Sequence, residues 1–212
     1  MRTYTSNFMI KSTRDELIQE ALLKAMSYPQ YRALVASLAM DNKTTGSIQT
    51  DDLVNYTKLN DRRMKRWDKT VKIDETTEQN IRSATAKHTW LVLTESWCGD
   101  AAVALPVMEK VASLNPNISF KVILRDENVS LMNQFLTNGG MSIPKLIVLE
   151  NHNQNVLGSW GPRSQNATKL VMDHKELHGT ILPAFKEELQ VWYNTDKGQS
   201  ILKELVALFT LK

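Results

Sequence analysis

The stretch Thr94-Glu95-Ser96-Trp97-Cys98-Gly99-Asp100-Ala101 decides how this chain is read. The strand-forming run Thr89-Trp90-Leu91-Val92-Leu93 leads into it, and a helical pattern from Ala101 to Leu114 leads out. A cysteine at the junction of a strand and a helix lies beside unpaired backbone N–H groups and the positive end of the helix dipole. Both favour thiolate over thiol. Cys98 is the one cysteine in 212 residues, so all thiol chemistry of the chain falls to it.

A lone cysteine rules out an internal disulfide and any cysteine-based metal spacing. The apolar fraction is 42% and the charged fraction 23%, which are ordinary values for a globular protein. A net charge of +3 singles out no class of partner. Met1 to Ile10 has no apolar signal core, and no later run reaches the roughly 18 apolar residues of a membrane span. The expected setting is the reducing cytoplasm, without membrane association.

The first third reads as helix. Ser12 with Asp15, or Thr13 with Glu16, has capping-box spacing, and Leu17, Ala21, Leu22 and Ala25 recur behind it. A second helix is expected from Pro29 to Met40 and a third from about Thr50 to Asp68. Over Lys58 to Lys72, seven cations (Lys58, Arg62, Arg63, Lys65, Arg66, Lys69, Lys72) stand against Asp61 and Asp68, a pattern open to a patch for an anionic partner, nucleic acid or a phosphorylated or acidic ligand. No aromatic or glycine pattern of a nucleic-acid module accompanies them, so a solvated helix face with i,i+4 partners is the preferred reading.

From about residue 76 strands and helices alternate. A weak helix, Thr76 to Ala86, precedes the strand Trp90 to Glu95, whose apolar run calls for cover on both faces. The helix Asp100 to Leu114 contains Pro106. A strand over Ile118 to Leu124 follows, then a helix marked by Leu131, Met132, Phe135 and Leu136 and stopped by Gly139-Gly140. Lys145 to Leu149 and Val156 to Trp160 form a hairpin, and a helix runs from about Ser164 to Leu177. The order implies an α/β fold with a mixed sheet flanked by helices. Two further helices follow, one from Ile181 to Asn194 and one capped by Thr195 or Asp196. Their apolar faces need cover, from the N-terminal helices first and from a homodimer second.

Trp97-Cys98-Gly99-Asp100-Ala101 resembles the Trp-Cys-Gly-Pro-Cys active site of the thioredoxin family, at the end of the same strand and the start of the same helix. Pro106 matches the proline that kinks the family's active-site helix. Ser142-Ile143-Pro144 resembles its cis-proline loop, and Gly161 a glycine beside its substrate groove. The likeness is to a bacterial branch with Trp-Cys-Gly-Asp in place of the dithiol. It implies a thioredoxin fold over residues 71–178, a helical extension over 1–70, and C-terminal helices over 179–212 packed on the domain.

The departures bear on function. The resolving cysteine's position is Ala101, and the family's proton-relay aspartate falls on Val92, so the dithiol cycle is lost. Asp100 replaces a proline. Its charge opposes a thiolate two residues away, yet suits the first turn of a helix. A monothiol route remains, with Cys98 attacking a mixed disulfide, or being oxidised by peroxide, and an external thiol releasing it. The resemblance places an extended substrate segment on Ile143 and Pro144, with Trp97 as an apolar wall. Its partner would be a protein or a low-molecular-weight thiol or disulfide. The alternative is a redox-inert binding module using the groove around Trp97 and Pro144. A third and minor option is an iron–sulfur cluster held across a dimer; otherwise no cofactor is expected. Glu95, three residues before the sulfur, is a candidate base. His174 and His178 have metal-ligand spacing but no third ligand, so no metal site is assigned.

Overall fold

A computed structural model describes the backbone of residues 4–210 and the side chains of residues 14–209. Four strands form one sheet in the order β2-β1-β3-β4: β1 His88–Thr94, β2 Ile118–Leu124, β3 Lys145–Glu150 and β4 Val156–Trp160. β1 lies parallel to β2 and antiparallel to β3, and β3 pairs antiparallel with β4. Trp90, Leu91, Val92 and Leu93 are all buried, so successive side chains on both faces of β1 are covered. That is what an unbroken apolar run requires of a central strand.

Three helices precede the sheet: α1 Tyr4–Lys24, α2 Tyr28–Met40 and α3 Asp51–Thr70. α1 begins upstream of the expected capping box, because Ser and Thr sit inside helices as well as at their caps. The side chains of Ser12 and Thr13 lie outside the described residues. The capping box is found instead at α2, where the Ser27 hydroxyl accepts from the Gln30 N–H and the Gln30 side chain accepts from the Ser27 N–H. Between α1 and α2, Met26 exchanges two backbone hydrogen bonds with Val122, 2.9 and 2.8 Å. This bridge covers part of the outer edge of β2, which would otherwise present unpaired backbone groups.

α4 (Glu75–Ser83) leads into β1, and α5 (Ala101–Ala112) follows it with Pro106 inside. α3 and α9 (Gln199–Ala207) pack on α5. α6 is a single turn, Val129–Met132, shorter than the helix expected to run on through Leu136. Thr137 and Gly140 exchange backbone hydrogen bonds across Asn138 and Gly139, both at positive φ, and this turn ends the helix early. α7 (Gln165–His178) and α8 (Pro183–Asp196) complete the chain's helices before α9. The N-cap of α9 is Gly198, at φ +75° and without a side-chain cap bond, rather than the expected Thr195 or Asp196; Asp196 ends α8, and its carboxylate accepts from the N–H and hydroxyl of Ser200.

The flanking helices share one buried cluster with the sheet. α1 and α2 contribute Ile18 and Tyr31, α3 contributes Met64 and Trp67, and α8 and α9 contribute Tyr193 and Leu205. The basic stretch of α3 is largely engaged internally. Arg32 bridges Asp61 and Asp68 at 3.2 Å each, and Lys65 pairs with Asp61 at 2.8 Å. Arg66 bonds Asn194 of α8 and lies over the Trp67 ring.

The N-terminal helices grip the β1–α5 loop through Ser96. Its hydroxyl oxygen lies 2.8 Å from that of Thr57, 3.1 Å from that of Thr44, and 3.0 Å from the Thr45 N–H that it accepts. The Asn60 amide donates to the Ser96 carbonyl at 2.9 Å. All of these groups are buried. Ser96→Ala leaves the Thr45 N–H and the hydroxyls of Thr44, Thr45 and Thr57 without their shared partner, at an expected cost of about 1–3 kcal/mol in urea unfolding. A loss below about 0.5 kcal/mol would show that the contact does not hold the loop.

Candidate functional site

The last residues of β1 and the first turn of α5 bring Trp97, Cys98, Gly99, Asp100 and Ala101 to the end of the sheet. The Cys98 N–H donates to the Glu95 carbonyl at 3.1 Å, and its carbonyl accepts from Ala102 at 3.2 Å. Cys98 is 7% exposed and its thiol donates to the Ile143 carbonyl at 3.2 Å. Burial, and after it the charge of Asp100, pushes this thiol up to about 12. The backbone of Ala101 and Asp100 and the Arg163 cation pull the other way, with less effect. The junction therefore holds a thiol, because dehydration outweighs the helix N-terminus.

Asp100 has its own partners. One carboxylate oxygen accepts from the Tyr193 hydroxyl at 2.9 Å, and the other pairs with Arg163 at 2.6 Å. The carboxylate makes no side-chain cap bond to α5. It ties α5 to α8 and to the segment after β4. Tyr193, buried and next to this charge, is held far above the ordinary phenol range.

The Ile143–Pro144 and Gly161–Pro162 peptide bonds are both cis. Gly161 has φ +109°, and a Cβ built on it would overlap the Pro144 carbonyl oxygen. Only glycine permits two backbone segments so close. Trp97 is half-buried, with the Arg125 guanidinium 5.0 Å from its ring centre. Gly99 has only ordinary contacts around an added Cβ, Arg63 at 3.7 Å and Gln190 at 3.8 Å. Ala101 and Val92 are buried and apolar, so no second group stands behind the sulfur to resolve or relay.

Two sequence candidates are placed elsewhere. Glu95 is buried with one oxygen accepting from the Asp126 N–H at 2.8 Å, and burial raises its pKa. It is not among the residues lining the cleft at Cys98, so the base assigned to it is not positioned there. His174 stacks on Phe185 at 4.0 Å and accepts from the Leu182 N–H, packing the α7–α8 turn. Among the described residues no group of three or more His, Cys, Asp or Glu side chains gathers for a metal. No helix among them is long and apolar enough to cross a membrane.

Cys98 opens onto a cleft of about 560 Å³. Trp97, Asp100 and Ile143 line it near the sulfur. Further walls come from α3 (Leu53, Tyr56, Arg63) and α8 (Lys186, Glu187, Gln190). Arg63 was visible in the sequence only as one of the seven cations of the basic stretch, and Arg125, Arg163 and Tyr193 carried no separable signal. Each reaches the site from a different segment, and only the fold brings them together.

A family model described as thioredoxin matches residues 46–177, which takes in all of α3. No curated protein matches the chain. One similar structure is PA1234, a protein of unknown function from Pseudomonas aeruginosa, at 20% identity and TM-score 0.53, covering 71% of this chain and 83% of that one. Another is an HIV epitope-scaffold at 17% identity and TM-score 0.55, covering 86% and 97%. At these identities both speak to fold alone.

Gly161→Ala is expected to cost about 3 kcal/mol or more in urea unfolding, from steric overlap and positive φ together. Gly139→Ala, at φ +75° with open space around it, is the control and is expected to cost about 1–2 kcal/mol. Asp100→Asn removes the nearby negative charge and frees Arg163 from its ion pair. Cys98 alkylation at pH 8 is then expected to rise by about tenfold or more, one pKa unit being a factor of ten in thiolate. An unchanged rate would mean that burial alone sets the thiol.

Proposed function

We propose, for a chain that belongs to the thioredoxin family, that the cleft beside Cys98 serves as a ligand-binding site and that the cysteine acts in it as a thiol wall group rather than as a nucleophile. The carrying observation is the Cys98 thiol itself, buried and donating to the Ile143 carbonyl at 3.2 Å. That bond uses the sulfur's proton, and the carbonyl of Ile143 is the group on which a bound strand would have to pair. The raised thiol pKa and the apolar neighbours Ala101 and Val92 point the same way. At neutral pH a thiol with its pKa near 12 is thiolate in roughly one molecule in 10⁵.

The second reading is monothiol exchange, favoured by the fact that Cys98 lines the cleft instead of being sealed in the core. In that reaction Cys98 thiolate attacks one sulfur of a mixed disulfide and expels the other as thiolate. An external thiol then attacks the new disulfide and releases Cys98. Both readings are compatible with a small-molecule or protein partner.

Alkylation by iodoacetamide across pH 7–10 separates them. With the thiol held near 12, the rate in the folded protein is expected to rise about tenfold per pH unit with no plateau. It should stay at least a hundredfold below that of the urea-unfolded chain at pH 8, where a free cysteine with a pKa of roughly 8.5 is partly ionised. Turnover of a glutathionylated peptide should be absent. A plateau near pH 8, with turnover that Cys98→Ser abolishes, would replace the binding reading by exchange.

A further inference from the structure

The charges around the cleft do not balance once its internal pairs are removed. Arg163 is committed to Asp100, and Arg125 pairs with Asp126 at 2.7 Å while donating to the Met141 carbonyl. Arg63, Lys186 and Glu187 remain. Arg63 donates to the Asn60 side chain at 3.2 Å, and among the described residues no carboxylate lies within ion-pairing distance of it. Lys186 reaches only Tyr56, 3.4 Å from its hydroxyl and 5.3 Å from its ring centre, again without a carboxylate partner among the described residues. Two cations thus face one carboxylate.

Arg63 is also half-buried, and dehydration lowers its pKa. Glu187 and Asp100 attract it from beyond ion-pairing distance, and a guanidinium taken partly out of water with no carboxylate in contact is an unfavourable arrangement that an incoming anion relieves. The remaining walls are largely aliphatic, with Leu53, Leu59, Val171, Ile181 and Leu189 among them. Walls from α3 and α8 make this a cleft of small-molecule size, within the roughly 300–1,000 Å³ such sites span.

We infer that the cleft takes a small organic monoanion, an apolar body carrying one carboxylate, with the carboxylate at Arg63 and Lys186 and the body against the aliphatic walls. This rests on the binding reading and names its ligand class. The excess of one cation fixes the charge, and the apolar walls exclude a bare inorganic ion as the best fit. Arg63 offers a planar two-donor edge that suits a carboxylate, and Lys186 adds a point charge at the exposed rim.

The test uses two probes of nearly the same shape, 8-anilinonaphthalene-1-sulfonate, which is a monoanion, and neutral N-phenyl-1-naphthylamine, which lacks the sulfonate. Fluorescence titration of the full chain is expected to give one anionic probe per molecule, bound about tenfold or more tighter than the neutral one. Arg63→Gln and Lys186→Gln should each weaken the anion by about three- to tenfold and leave the neutral probe unchanged. A small aliphatic carboxylate such as octanoate should displace the anionic probe. Lys186 is exposed, so its variant keeps the test decisive if Arg63→Gln unfolds, which circular dichroism reports. Equal binding of the two probes, or anion affinity unchanged in the folded variants, would overturn the inference. Turnover of a glutathionylated peptide by Cys98 would overturn the binding reading instead, and the probe titration of Cys98→Ser tells the two failures apart.

Discussion

The carboxylate of Asp100 cannot stand unpaired where it is, and much of the site follows from that constraint. It sits at the start of α5, partly shielded from water, beside a buried sulfur. An unpaired charge there would be costly, and Arg163 and the Tyr193 hydroxyl satisfy it from two separate parts of the chain. The pairing draws α8 over the end of the sheet. It also engages Arg163, a cation that favours the thiolate of Cys98, so that charge is largely offset at close range. The same interaction therefore shapes the cleft and keeps the sulfur protonated.

The opposite side of the loop is held by neutral polar contacts. Ser96 gathers Thr44, Thr45 and Thr57, and Asn60 holds the Ser96 carbonyl. These bonds are made away from water and depend on one another, which rigidifies the loop between β1 and α5. Fixed by α3 on one side and by α8 on the other, Cys98 has little freedom to swing toward a large partner. A substrate disulfide would have to come to it along the cleft.

The sheet and the helix–strand order were legible because they rest on local signals. The apolar run Trp90 to Leu93 demanded a covered strand, the run Ile118 to Leu124 gave β2, and Gly161 and Pro144 were recognisable through the resemblance to the thioredoxin family. The physical need for Gly161 became plain only with the Pro144 carbonyl against it. The helix over Leu131 to Leu136 was overread because its apolar spacing is helical, whereas the Asn138-Gly139 turn closes the chain earlier. The electrostatics were not legible. Proximity to a helix N-terminus argued for thiolate from sequence, yet the burial that decides the thiol's state comes from segments as far away as Ile143.

A dithiol active site needs an ionisable first sulfur, a second sulfur behind it and a proton acceptor. Here the second position is Ala101 and the acceptor position is Val92, both packed in the apolar core. With those positions apolar, the backbone of Ala101 and Asp100 and the Arg163 cation are what favour an ionised Cys98, and burial outweighs them. The cleft takes its aliphatic walls largely from α3, α7 and α8, and from α3 and α8 come Arg63 and Lys186, which among the described residues have no carboxylate within ion-pairing distance. The helices outside the sheet thus supply the cations and most of the aliphatic lining of the cleft, and the thioredoxin sheet supplies the floor on which it stands.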